Sequence, residues 1–191
     1  MATAATLVRA ARTSRGLTQH QLAERSGIDQ ASVSRSESGR RAEFATIDRL
    51  LAAAGHRLYA APTRRDDAAT AAADIRGHLR AGRKDRALRA LIQLNDDLLA
   101  ERGLVRGILG LAEPGPTSDS AWDAAIAGLV EWRLTEDGLP NPEWVDADER
   151  FLPWPRTLDV DPADPAPSHA DVPEPFLRRG VLIWRDTFAS V

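Results

Sequence analysis

The most informative stretch of this sequence is residues 18–39, which read TQHQLAERSGIDQASVSRSESG. Thr18 and Gln21 have the spacing of a capping box, in which two side chains satisfy free backbone amides at the start of a helix. Gly27 follows and is free to adopt the positive φ angle that commonly ends a helix. These features predict a short helix that begins after Thr18 and ends in a tight turn at residues 26–28.

A second short helix is predicted directly after this turn. Asp29 is one of the residues preferred at a helix N-cap, Val33 supplies the apolar anchor of the helix, and Ile28 fills the angle between the two helices. Together they form a helix-turn-helix motif, in which the N-terminal part of the second helix enters the major groove of DNA. The residues predicted to contact bases there are Gln30, Ala31, Ser32, Ser34 and Arg35.

The side chains of this second helix suit base recognition. Glutamine can bond the N6/N7 edge of adenine, arginine can bond O6 and N7 of guanine, and an alanine methyl can contact the methyl group of thymine. Phosphate contacts are predicted for Gln19, at the positive end of the first helix, and for Arg40 and Arg41, which follow the second. Two alternatives stay open: these are solvated surface residues, or the motif serves protein contacts only.

Residues 18–39 resemble the helix-turn-helix of the phage-repressor (Cro/C1/Xre) family, and the resemblance extends over about residues 4–58. It implies a lambda-repressor-like bundle of five helices, or a shortened one of four, and a homodimer on a two-fold symmetric operator. It also implies an ion pair between Arg12, in the first helix, and Glu37, beneath the recognition helix. Ser36 departs from the family pattern, which usually has an apolar residue there.

The charges divide the chain into a basic and an acidic part. Residues 1–65 contain 11 arginines and 5 acidic residues, whereas residues 113–191 contain 6 arginines and 16 acidic residues. A basic segment suits a polyanion such as DNA, because phosphate neutralisation supplies most of the sequence-independent binding free energy. The acidic segment would be repelled by the same duplex, so we expect it to contact a different partner.

The composition argues against several other classes of protein. The chain has no cysteine, which excludes disulfides and thiolate metal sites. Arginines interrupt the first residues, so no signal peptide is predicted, and no stretch approaches the roughly 20 apolar residues of a membrane span. We therefore expect a cytoplasmic protein. We expect no enzyme, metal or cofactor, because P-loop, zinc-protease and nucleophile-elbow motifs are missing from the sequence.

Four amphipathic helices are predicted between residues 66 and 137, where apolar residues recur at helical spacing. The segment Glu113–Pro116 separates the third of them from the fourth. We expect this helical domain to serve partner binding, dimerisation or ligand sensing. The whole chain is thus predicted to be all-α, with a helix-turn-helix domain at residues 1–62, the helical domain at 66–137, and an acidic tail at 138–191.

The predicted tail is rich in proline and tryptophan. Nine of the 12 prolines lie between residues 140 and 175, which predicts a linker at residues 159–175, and residues 181–184 (VLIW) form a strand-like segment. Such a tail suits docking to a protein partner, and closure of the protein's own fold is the alternative. The candidate docking residues are Trp144, Trp154, Phe176, Arg178, Arg179 and Trp184.

Residues 56–61 connect the two predicted helical domains and alternate weakly between polar and apolar side chains. A short strand here would pair with its two-fold mate and form a dimer seam, because a lone edge strand needs a partner. A plain linker that ends at Pro62 is the alternative, and both interpretations stay open.

Two functions are compatible with this organisation. In the first, the protein is the autoregulating antitoxin of a bacterial toxin–antitoxin module, and its C-terminal part holds the toxin encoded by the adjacent gene. The segments Trp144–Val145 and Phe176–Val181 resemble tails of actinobacterial Xre proteins encoded beside nucleotidyltransferase-like toxins. In the second, the protein is a ligand-responsive repressor, and the helices of residues 66–137 form its sensor pocket.

Overall fold

The structure is helical throughout. A computed structural model describes residues 4–58, 60–161 and 163–189, and these residues form helices and turns but no strand. This confirms the predicted all-α fold. The α-helices are α1 (Ala4–Thr13), α2 (Gln19–Ser26), α3 (Gln30–Glu37), α4 (Phe44–Ala53), α5 (Ala68–Arg80), α6 (Lys84–Ala100), α7 (Gly103–Leu111), α8 (Ser120–Glu136) and α9 (Glu174–Arg178), and short 3-10 turns lie at Glu143–Asp146, Asp148–Arg150, His169–Asp171 and Arg185–Phe188.

Helices α1 to α4 pack around a core of their own, and we call this part the head (residues 4–58). Val8, Leu22, Val33 and Leu50 are almost completely buried in that core. Each lies on an inward helix face, because apolar residues recur every three or four positions along these helices. The head therefore has the shortened, four-helix arrangement.

The chain that leaves the head is irregular. The described residues of segment 56–61 have no regular secondary structure, and Tyr59 lies outside the described residues. The strand interpretation of this segment is therefore not supported by its described residues. None of the described helices has the length and apolar character needed to cross a membrane.

Helices α5 to α8 form a second core together with the chain that follows them, and we call this part the body (the described residues of 68–189). Helix α8 is buried on nearly all sides, because α5, α6, α7 and α9 all contact it. Trp122, near its start, has no exposed surface. A helix that is apolar all round requires such neighbours.

The segment predicted to be a tail contributes to the core of the body. Val145, Phe176, Val181 and Phe188 are buried in the same cluster as the apolar faces of α5 to α8. The ring of Phe176 stacks on that of Phe188 with 5.3 Å between centroids, and both rings make edge contacts with Trp132. The residues after 138 thus close the fold of the body rather than extend from it.

The strand predicted at residues 181–184 is wrong. The segment forms one isolated parallel bridge, in which Val181 faces Arg156. The Arg156 amide donates to the Gly180 carbonyl and the Leu182 amide donates to the Arg156 carbonyl, each at 2.9 Å. The chain enters the 3-10 turn Arg185–Phe188 directly after the segment, so the bridge does not extend into a ladder.

The proline-rich segment 159–175 has little regular structure. Its described residues contain the 3-10 turn His169–Asp171 and the first residues of α9, and the others form neither helix nor strand. Val172 is nevertheless buried against the body. Its described residues thus contact the body before the chain returns to α8 through α9.

Candidate nucleic-acid interface

The angle between α2 and α3 is set by local hydrogen bonds. The Gln21 amide donates to Thr18 Oγ1 at 3.1 Å and the Thr18 amide donates to Gln21 Oε1 at 2.8 Å, which completes the capping box. Gly27 ends α2 with a φ of 65°. Ile28 then packs against the core of the head. The two helices are thus joined by a turn with little freedom.

Asp29 caps the start of α3. Its Oδ1 accepts a hydrogen bond from the Ser32 amide at 2.8 Å, and its Oδ2 accepts one from Ser32 Oγ at 2.6 Å. The hydrogen bond from the Ser32 side chain, together with that from its amide, lowers the pKa of Asp29 below its ordinary value. Asp29 is therefore a carboxylate at neutral pH.

Arg35 is tied to this cap across one turn of α3. Its Nη2 donates to Ser32 Oγ at 2.7 Å and lies 3.8 Å from Asp29 Oδ1. The side chains of Arg35 and Asp29 are 51% and 66% exposed. The guanidinium is thus held in one orientation on the solvent face of the helix, where it can meet a base edge.

The structure brings the predicted base-contacting residues together on one outward face. Gln30, Ala31, Ser34 and Arg35 are exposed, and Ser32 is half-buried. The buried residues of α3 are Val33, Ser36 and Glu37, which face the head. The polar face of α3 is therefore open to a partner, and contact with bases stays a prediction.

Ser36 occupies a position where the resemblance leads one to expect an apolar side chain. Its side chain is almost completely buried, and its hydroxyl donates to the Ser32 carbonyl at 2.9 Å. A buried hydroxyl is costly only when it lacks a hydrogen-bond partner. Bonding to the preceding turn of the helix gives Ser36 that partner, so the position accepts serine.

Glu37 lies beneath α3 and is bound from three sides. Arg12 donates to its carboxylate through Nε at 2.6 Å and through Nη2 at 3.0 Å. Gln19 Nε2 donates to Glu37 Oε2 at 3.0 Å, and Arg9 Nη2 donates to the Glu37 carbonyl at 2.7 Å. Burial alone would raise the pKa of Glu37, but the hydrogen bonds from Arg12 and Gln19 outweigh it and lower the pKa.

The predicted phosphate-contacting residues have different surroundings. Gln19 is half-buried and is oriented by Glu37, and because an amide group has two N–H donors, its second one stays free for a phosphate. Arg40 and Arg41 are exposed directly after α3. No carboxylate of the described residues lies within ion-pair distance of either arginine, so both guanidinium groups face solvent.

Sequence reasoning missed Arg9 as a member of this cluster. Arg9 precedes Arg12 by three positions in α1, a spacing that places two residues on the same face of a helix. That spacing is the signal that would have found it. Arg9 fixes the end of α3 by its bond to the Glu37 carbonyl.

Three of the predicted docking residues are wrong, because the body uses them in its own core. Phe176 and Arg179 have no exposed surface and Trp144 is 7% exposed. Trp144 Nε1 donates to the Gly110 carbonyl at 3.1 Å, and Arg179 forms an ion pair with Glu131. These groups are paired within the chain and are closed to a partner.

The other three docking candidates do reach solvent. Trp154 is 78% exposed and Trp184 is 40% exposed. The side chain of Arg178 is 42% exposed, although it also bonds Glu131 at 2.6 Å. They do not form part of the face of α3.

Among the described residues, no group of three or more His, Asp or Glu side chains has a geometry that could hold a metal ion.

Comparison with known proteins bears on the head alone. Residues 8–55 match a family model described as helix-turn-helix. No curated protein and no solved structure gives a significant match to the chain. The matched residues begin within α1 and end just after α4, so they coincide with the four helices whose geometry is described above.

Proposed function

We propose that this chain, a DNA-binding transcription regulator of the Xre type through its helix-turn-helix domain at residues 8–55, acts as a sequence-specific repressor. The observation that carries the proposal is the outward face of α3. It presents Gln30, Ser34 and Arg35 to solvent on a helix whose position the capped turn and the buried Glu37 hold in place. Such a helix fits the major groove, where these side chain types distinguish bases.

The distribution of charge supports the same orientation on DNA. The head contains most of the 11 arginines of residues 1–65, whereas the last 79 residues carry 16 acidic residues against 6 arginines. The duplex therefore attracts the head and repels the C-terminal part of the body. Arg40 and Arg41 lie at the end of α3 and supply cations for the phosphates that flank the groove.

A homodimer on a two-fold symmetric operator completes the proposal. One helix in one major groove reads only a few base pairs, so a single head gives little discrimination among genomic sites. Two heads, with half-sites spaced about one helical turn of DNA apart (about 34 Å), multiply that discrimination. A protein bound in this way represses by occupying the promoter.

The test is selection of binding sites from a random duplex library, followed by footprinting of the selected sequence. We expect a two-fold symmetric site, and we expect Gln30→Ala and Arg35→Ala to lose preference at defined positions within it. Arg89→Ala is the matched control, since Arg89 is an exposed arginine of α6 in the body. If no sequence is enriched, or if Arg35→Ala selects the same site as the wild type, the proposal fails.

A second candidate is the role of an autoregulating antitoxin that binds a toxin protein. The observation in its favour is the exposure of Trp154 and Trp184 on the acidic body, because exposed tryptophans are enriched at protein interfaces. The test is coexpression with the product of the adjacent gene, with copurification and a growth assay. A neighbour that is toxic alone and is bound and silenced by this protein supports the role. A neighbour that neither binds nor harms the cell contradicts it.

The ligand-responsive repressor is the alternative to the antitoxin. A sensor domain should be compact without a protein partner. The body is compact in this sense, because the proline-rich C-terminal residues pack against α8. The helices of residues 66–137 are closely packed around Trp122, so a ligand site is better sought at the surface of the body. The boundary between the head and the body offers one.

A further inference from the structure

A cavity of about 300 Å³ lies between the head and the body. Residues of α1 line one side and residues of α5 another, the loop of residues 113–116 and the 3-10 turn Asp148–Arg150 also line the cavity, and it is open to solvent. The volume is that of a small-molecule site. Because the walls belong to two parts of the protein, a molecule bound here contacts both.

Two arginines from different walls converge in this cavity. A Cβ atom built on Gly115 would lie 3.5 Å from Arg76 Nη1 and 4.0 Å from Arg9 Nη1. Within the described residues neither guanidinium has a carboxylate in ion-pair contact. Arg9 donates to the Glu37 carbonyl and Arg76 makes one long bond, of 3.4 Å, to the Pro116 carbonyl. Two like charges that face each other repel, unless an anion lies between them.

A third arginine of the cavity is buried and incompletely bonded. Arg150 is 4% exposed, and its Nε has no hydrogen-bond partner among the described residues. Its Nη2 donates to the Pro114 carbonyl at 3.1 Å, and the Glu113 carboxylate lies 3.8 Å away. A buried donor without a partner is costly. Solvent does not reach this Nε, so the unsatisfied donor lies behind the wall of the cavity and not on its surface.

Three acidic residues line the same cavity as these arginines. Glu113 accepts a hydrogen bond from Thr13 Oγ1 at 2.8 Å, which joins the body to the head. Asp123 accepts one from the Thr117 amide at 2.8 Å. Glu149 is exposed to solvent. A hydrogen bond from a neutral donor leaves a carboxylate charged, so these three residues balance the formal charge of the three arginines. The site therefore depends on the N–H donors of Arg9 and Arg76, which have no ion pair among the described residues.

We propose that this cavity binds a small oxyanion, a phosphate monoester or a carboxylate, between Arg9 and Arg76. The planar guanidinium groups suit this chemistry, because each presents paired N–H donors that match two oxygens of one anion. The site lies apart from the outward face of α3. Since one arginine belongs to the head and the other to the body, the anion fixes the head relative to the body.

The anion also acts on the recognition helix, and this part rests on the proposed DNA-binding function. Arg9 contacts the cavity and bonds the carbonyl of Glu37, the last residue of α3. An anion that draws Arg9 toward Arg76 changes the contact that holds the end of α3. Anion binding and operator binding are then coupled. Binding of the anion changes the affinity for the operator by the same factor as binding of the operator changes the affinity for the anion.

The first test measures binding of inorganic phosphate to the full chain by thermal unfolding and calorimetry, with chloride at equal ionic strength as the reference. We expect phosphate to raise the Tm and Arg76→Gln to weaken phosphate binding about tenfold or more. Arg40→Ala controls for phosphate at the DNA-binding face, and Arg89→Gln controls for the loss of one exposed arginine. No rise in Tm, or a rise that Arg76→Gln retains, overturns the proposal.

A second pair of variants tests the same site without a ligand. Gly115→Asp places a carboxylate where Arg9 and Arg76 converge, and Gly115→Ala is its control, because a Cβ fits there at ordinary contact distance. We expect the Asp variant to have a higher Tm than the Ala variant and to lose the phosphate response. An Asp variant that responds to phosphate like the Ala variant contradicts the site.

Operator affinity measured with and without phosphate tests the coupling separately. A phosphate-dependent change that Arg76→Gln removes supports it, and an unchanged operator affinity overturns the coupling. Failure of the proposed DNA-binding function would be seen as loss of selective DNA binding at every phosphate concentration. Phosphate binding and its loss in Arg76→Gln would then still decide whether the site exists.

Discussion

Arg12 and Glu37 join the first helix of the head to the last residue of the recognition helix by two hydrogen bonds of 2.6 and 3.0 Å. The Glu37 side chain is 3% exposed and that of Arg12 is 16% exposed. Arg12 also donates to the Leu17 carbonyl at 2.7 Å, which fixes the chain between α1 and α2. One buried pair thus determines how α3 is set against the rest of the head, and orientation is the best-supported role of such pairs.

Removing one partner of this pair should destabilise the head strongly. We expect Glu37→Ala to lower the free energy of unfolding by about 3–5 kcal/mol, because Arg12 would keep a charge with no counter-charge in a largely buried place. Urea unfolding of the full chain measures it. Glu24→Ala is the control, since Glu24 pairs only with the exposed His20. A loss below about 1 kcal/mol would show that the pair is solvated.

Stability should fall in acid through Glu37. Burial raises the pKa of Glu37, but the hydrogen bonds from Arg12 and Gln19 lower it by more. The pKa in the folded protein therefore lies below the ordinary value of 4.5. The contribution of Glu37 is thus complete above pH 4.5 and is lost as pH falls through the lower, folded pKa. The difference in unfolding free energy between wild type and Glu37→Gln, followed from neutral pH downward, should shrink only in that acid range. A constant difference would contradict the depressed pKa.

Base and phosphate contacts should separate in binding measurements. We expect Gln30→Ala and Arg35→Ala each to lower the ratio of specific to non-specific affinity by about 1–3 kcal/mol, if each makes a bidentate contact. Arg40→Ala should weaken binding to all sequences alike and reduce the salt slope by about 1. Titrations of operator and random duplex at several salt concentrations test both. Equal losses on the two duplexes for Arg35→Ala would exclude a base contact.

Asp29 should act on DNA through Arg35 as well as on the stability of α3. Asp29→Ala removes the N-cap, which costs about 1 kcal/mol. Asp29→Asn keeps an oxygen for the Ser32 amide but removes the charge near Arg35. We therefore expect the Asn variant to unfold nearly like the wild type and to discriminate less sharply at the base read by Arg35. Site selection with unaltered preference in the Asn variant would contradict this positioning role.

Two glycines of α7 should respond oppositely to alanine. A Cβ on Gly110 would lie 2.8 Å from Val130 Cγ1 and 3.3 Å from Leu134 Cδ1, so Gly110→Ala overpacks the contact with α8 and should cost about 1–3 kcal/mol. At Gly107 the nearest atom is 3.9 Å away, and Gly107→Ala should stabilise the helix by about 0.5–1 kcal/mol. Thermal unfolding of the two variants compares them. A stabilised Gly110→Ala would show that α7 packs more loosely.

The helix-turn-helix could be predicted because its signals are local. The Thr18 capping box, Gly27 in the turn and the Asp29 cap depend on neighbours within about four positions, so they act in the same way in any chain that contains them. The family match to residues 8–55 agrees with this. The alternation of buried and exposed residues along α5 and α6 is a local signal of the same kind.

Whether the proline-rich C-terminal part packs on the body or extends into solvent could not be predicted from local signals. A chain of prolines and scattered aromatic residues has the same local pattern whether it extends into solvent or folds back. Phe176, Arg179 and Trp144 are buried only because α8 and the Gly110 carbonyl provide their contacts. The strand expected at residues 181–184 fails for a related reason, since a strand needs a partner along its length and, among the described residues, this segment has only the bridge from Val181 to Arg156.

The sequence by itself therefore determined the fold class, the helix-turn-helix of the head and the polar outward face of α3. Hydrogen-bonded caps and helical periodicity act between residues a few positions apart, and these can be read directly. Only the tertiary structure decided which aromatic residues close the body and that Arg9 meets Arg76 across a cavity at Gly115. Those contacts join residues far apart in the chain, and their formation depends on how whole helices pack.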